Sequence, residues 1–152
     1  MPPLTTLGDE GCTRADATPV LDPARATAHG FHRGMGPRAE ETALIAGHIK
    51  LRILHTGCEH FVERYVFFVP GDGKLPPPLE MASELVRALP VRGDRVTSAK
   101  EWVERLESRE AAKPPYAPGE EITVIPNFSW LSVISKSVEG GTELELVYDI
   151  AL

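Results

Sequence analysis

The chain has 152 residues, with 16 Lys and Arg against 22 Asp and Glu and a formal net charge of −6. Its length suits one domain around one hydrophobic core, and 42% hydrophobic with 25% charged residues is a globular balance, not that of a disordered chain. The negative charge argues against phosphate backbones as partners, and the longest apolar run, Tyr65 to Val69, falls far short of the roughly 18 residues of a membrane helix, so neither nucleic acid nor membrane insertion is expected.

Residues 1–42 hold five Pro and five Gly without sustained hydrophobic periodicity. They read as an extended N-terminal arm with at most a short helical turn near residues 23–29, which leaves residues 43–152 as a single domain. Ile49, Leu51 and Ile53 alternate with polar neighbours, the period of a half-buried strand. Thr56 and Gly57 then supply turn chemistry, and residues 61–69, rich in β-branched and aromatic side chains, complete a hairpin. Three consecutive prolines at 76–78 lead into a helix whose inner stripe is Leu79, Ala82, Leu85, Val86 and Leu89, and Pro90 stops it. A second helix is expected from Ser98, which would cap while Glu101 reaches back, with Trp102, Val103 and Leu106 facing inward. Residues 122–125 read as a short strand. In the closing pair, Trp130, Ser132, Ile134 and Val138 are expected inward on one strand and Leu144, Leu146, Tyr148 and Ile150 on the next. The order β-β-α-α-β-β-β predicts an α+β domain: an antiparallel sheet of about five strands with two helices packed on one face.

The two cysteines, Cys12 in the polar arm and Cys58 at the hairpin turn, suit a single disulfide staple, since an exposed Cys in a polar arm has no packing reason to exist. In the chain-entropy model, closing that loop is worth roughly 4 kcal/mol. Such a bond belongs in the periplasm or outside the cell. Residues 1–30 contain no apolar stretch of signal-peptide type, so two free thiols in the cytoplasm stand as the alternative.

Four groups carry possible chemistry. His55, Cys58 and His60 bring a thiol and two imidazoles to one turn, the ingredients of Cys-His catalysis or of a metal site. His29 and His32 are three apart and would ligate a metal only with further ligands from elsewhere. The segment 70–74, Pro-Gly-Asp-Gly-Lys, lacks the spacing of a phosphate-binding loop and reads as a turn. Finally, Glu101, Glu104, Glu143, Glu145 and Asp149 lie on the second helix and the last strand, as a candidate acidic docking surface for a basic protein. No cofactor is implied by any of these patterns.

The stretch Gly57-Cys58-Glu59-His60-Phe61, followed by an aromatic strand, resembles small exported bacterial domains of uncharacterised function in which Gly-Cys-x-His opens a central strand. The resemblance spans about a dozen residues; it implies periplasmic residence and a disulfide, and assigns no catalytic residue. The leading expectation is therefore an exported, non-enzymatic protein that works through protein contacts, such as an immunity or inhibitor protein. The alternatives are a small Cys/His enzyme or metal-binding protein, or a carrier holding a small ligand between sheet and helices.

Overall fold

The computed structural model describes residues 17–34, 37–57 and 60–151. The fold is α+β: a seven-stranded antiparallel sheet with two helices on one face. Its strands are β1 (Thr27–Arg33), β2 (Ala39–Ile45), β3 (Ile49–Thr56), β4 (His60–Pro70), β5 (Ile122–Ile125), β6 (Ser129–Val138) and β7 (Gly141–Ala151). Helices α1 (Pro78–Ala88) and α2 (Val96–Ala111) lie between β4 and β5 in the chain, joined by a 3-10 turn at Gly93–Arg95. Across the sheet the order is β1-β2-β3-β4-β7-β6-β5. Two antiparallel meanders, one before the helices and one after, are thus sewn together along β4 and β7. Among the described residues no helix is long and apolar enough to cross a membrane.

Three expectations are corrected. Residues 27–42, read as arm, supply all of β1 and the start of β2, which gives seven strands and the order β-β-β-β-α-α-β-β-β. Strand β6 has the opposite phase. Leu131 and Val133 are buried opposite Tyr148 and Leu146, while Ile134 stands 46% exposed on the other face. Both faces of β6 carry large apolar side chains, so alternation within that strand does not fix its phase. Helix α2 begins at Val96 directly from the 3-10 turn, so Ser98 sits inside the first turn, and Arg95 occupies the cap position without a side-chain cap bond.

The core lies between the inner sheet face and the helices. Phe67, Leu51 and Leu144 line one cross-strand row, Tyr65, Ile53 and Leu146 the next, and all six are buried. Helix α1 starts with Pro78 at its first position, where a missing N–H costs nothing, and buries Leu79, Ala82, Leu85 and Val86. Helix α2 adds Trp102, Val103 and Leu106. The far end of α2 is tied to β6: Arg109 forks onto Glu120 at 2.9 and 3.0 Å, and the Tyr116 hydroxyl donates to the Glu120 carbonyl and accepts from Val133 N–H. The close seam between β4 and β7 demands glycine at 141, where a Cβ would collide with the Val69 carbonyl oxygen.

Candidate functional site

At one end of the inner face the apolar rows give way to charge. Strand alternation places Glu41 of β2, His55 of β3 and Glu63 of β4 inward among core residues, and all three are buried. Arg95, delivered by the 3-10 turn, grips Glu63 with both guanidinium arms at 3.0 and 2.5 Å, and Tyr65 donates its hydroxyl to the same carboxylate at 2.7 Å. Burial alone would raise the Glu63 pKa, but the Arg95 bonds and charge, with the Tyr65 bond, hold it below the ordinary carboxylate value. The Tyr65 hydroxyl is pushed well above its usual value, first by burial and then by the Glu63 charge. Trp102 closes the group, lying edge-on to Tyr65 at 5.6 Å and against Tyr148 at 4.5 Å. The void beside these rings is about 10 Å³, at the lower limit of what one water needs. This cluster keeps Glu63 ionised and fully engaged, and it locks the start of α2 to the sheet.

Glu41 does a different job. Its carboxylate accepts the N–H groups of Val20 at 2.8 Å and Leu21 at 3.1 Å, and pairs with His29 Nε2 at 2.6 Å. Residues 17–22 thereby lie as a strap across the sheet end, with Leu21 bridging to Val91 and Arg92 N–H donating to Val20. Replacing Glu41 with alanine orphans two buried backbone donors, so stability measured by urea unfolding should fall by at least about 2 kcal/mol, with faster amide exchange at Val20 and Leu21. Unchanged exchange there would refute the strap.

Among the described residues, those singled out from sequence do not converge. His55 is 1% exposed, with Nδ1 3.9 Å from Glu63 and its ring against Phe31; it is closed to a substrate. Cys12 and Cys58 lie outside the described residues, so the expected disulfide does too, and His60 is placed only by its backbone pairing with Ala151. His29 turns inward to Glu41, whereas His32 pairs in register with Glu40 on the outer face. A strand sends these two imidazoles apart, which corrects the idea that they ligate one metal. Among the described residues no group of three or more His, Cys, Asp or Glu could hold a metal ion. The centre of the space between sheet and helices is packed with side chains, but an open cleft of about 460 Å³ remains at one edge, lined by Leu79 of α1, Ala111 of α2, Tyr116 and Val133 of β6, and a groove of about 650 Å³ lies outside, between α1 and α2, over Val86, Val96 and Val103.

The acidic residues split between two sides. Glu101 and Glu104 are on α2, Glu101 pairing with Arg105. Glu143, Glu145 and Asp149 alternate with the buried residues of β7 and so lie on the outer face of the sheet, behind the core. They are not a naked acidic field: Lys136 stands 3.5 Å from Glu143 and Arg64 2.8 Å from Glu145. Around them the outer face carries Leu54, Val62, Val66, Phe68, Trp130 and Val147, all half-buried, and a third ion pair, Arg52 to Glu40. No described element covers this face. Sequence reasoning missed Glu41, Glu63 and Arg95. A charged residue at an inward-phase position, as in Phe61-Val62-Glu63-Arg64-Tyr65, was the available signal for Glu63.

No protein-family model matches the chain, and no curated protein and no solved structure matches it significantly.

Proposed function

We propose that this is an exported protein that acts by binding another protein, in the manner of an immunity or inhibitor protein, and that its docking surface is the outer face of the sheet. The observation that carries the reading is that face itself: half-exposed apolar side chains spread over four strands, β3, β4, β7 and β6, among three cross-strand ion pairs. Apolar area with a charged frame is the usual anatomy of a specific protein contact. The acidic residues of β7 take part as one half of ion pairs, so the partner presents both signs of charge in register. The export reading rests on the two cysteines.

A photo-activated cross-linking residue placed at position 147, in the centre of the face, tests this in the native cell. The expected result is a protein adduct that disappears when Glu143 and Glu145 are both changed to Lys and persists when Glu101 and Glu104 are. Because both glutamates are half-buried and ion-paired, the reversal also sets Lys beside Lys136 and Arg64 and is expected to cost about 1 kcal/mol, so circular dichroism and urea unfolding check that the fold persists. An adduct formed only from α2 would move the docking surface to the helices, and no adduct at 147 would remove the reading.

A further inference from the structure

We propose that the outer face of the sheet pairs with the same face of a second copy of this chain, making a face-to-face β-sandwich dimer. The proposal rests on the reading of that face as a docking surface and gives it to a second copy, with which any different protein partner would have to compete.

Charge on this face runs in stripes along the strands. β3 presents Lys50 and Arg52, β7 presents Glu143, Glu145 and Asp149, and β4, between them, presents Val62, Val66 and Phe68 with Arg64. A two-fold axis lying between two such sheets and running along β4 exchanges β3 with β7. The register then decides what meets what. Lys50, Phe68 and Glu143 share one cross-strand row, Arg52, Val66 and Glu145 the next, and Leu54, Arg64 and Val147 the third. Under the two-fold, Lys50 of one copy therefore stands over Glu143 of the other, Arg52 over Glu145, and Leu54 over Val147. Phe68, Val66 and Val62 meet their own symmetry mates at the axis. The single like-charged meeting, Arg64 with its mate, is offset by Glu145 at 2.8 Å within each copy.

Such self-complementarity is what a closed two-fold interface requires. Aligned sheets pack about 10 Å apart at roughly 30°, which leaves room for Lys and Arg to reach Glu across the gap. Five strands at about 4.8 Å by seven residues at about 3.4 Å give a footprint of roughly 570 Å² per copy. The total, roughly 1,150 Å², sits at the lower end of specific interfaces, so a weak, concentration-dependent dimer is expected.

Sedimentation equilibrium of the full chain from about 1 µM to 1 mM tests this, with two variants: Lys50→Glu with Arg52→Glu, and Glu143→Lys with Glu145→Lys. Each alone should weaken dimerisation at least tenfold, and an equimolar mixture should restore it, because acid stripes then face basic ones. Circular dichroism checks that both variants fold, and Val147→Lys serves as a second probe of the same face. A wild-type chain that stays monomeric at 1 mM, a dimer indifferent to these changes, or a mixture that fails to re-form would each overturn the proposal. If the chain is monomeric while position 147 cross-links a different protein, the second copy is excluded and the docking surface stands; if position 147 cross-links nothing, the surface falls with it.

Discussion

Changing Arg95 to methionine is expected to lower stability by about 3–5 kcal/mol, because it leaves the Glu63 carboxylate buried with its cationic partner gone. The loss belongs to the orphaned charge, not to the pair as such, so changing Glu63 to methionine in the same chain should recover most of it. A double-mutant cycle in urea reads this directly, and a single-variant cost below about 1 kcal/mol would contradict the buried pair. The pH dependence adds a second signature. In the wild type the folded pKa of Glu63 is depressed, so its contribution is present above the ordinary carboxylate pKa and is lost as pH falls through the folded value. In the Arg95 variant burial dominates and the folded pKa lies above the unfolded one. That variant should therefore gain stability as pH falls from 7 toward the unfolded value, and the gap to wild type should narrow.

Phe67→Ala should cost about 3–5 kcal/mol, the lost burial plus the cavity left between Leu51 and Leu144. A matched pair on β6 makes the result specific to this architecture. Val133, buried against Leu146, should be costly to truncate, whereas Ile134, 46% exposed on the outer face, should change stability by no more than about 0.5 kcal/mol as alanine. Urea midpoints with an unchanged slope would confirm that stability, not compactness, has moved. A costly Ile134→Ala beside a nearly silent Val133→Ala would mean that β6 has the phase expected from sequence.

How much of this was legible beforehand varied with the residues. Helix α1 was, since Leu79, Ala82, Leu85, Val86 and Leu89 keep helical spacing between Pro78 and Pro90. So were β3, whose Ile49, Leu51 and Ile53 alternate cleanly with polar neighbours, and β4, which is rich in β-branched and aromatic residues. Strand β2 was not, because its inward positions are Ala39, Glu41, Ala43 and Ile45, two of them small and one charged. Strand β1 is further obscured by an irregularity between Thr27 and Gly30, with Ala28 at a positive φ of 52°. The charged cluster was invisible for another reason: Glu63 and Arg95 are separated by a strand, a helix and a turn, and only the packing of α2 on the sheet brings them together. The acidic residues of β7 were found, but their neutralising partners Arg64 and Lys136 belong to adjacent strands, a relation that register alone reveals.

The seam between β4 and β7 also governs the order in which the molecule can be built. β4 pairs with β3, which directly precedes it in the chain, but its other edge waits for a strand roughly 80 residues later. During synthesis the most apolar strand of the protein therefore stands for a time as an open edge, with unpaired N–H and C=O groups and Tyr65 and Phe67 still uncovered. Helices α1 and α2, made in that interval, are the first surfaces available to shield its inner face. Pairing across so long a stretch of chain is slow compared with hairpin closure, so the yield of native protein depends on how quickly β7 reaches that edge before another chain does.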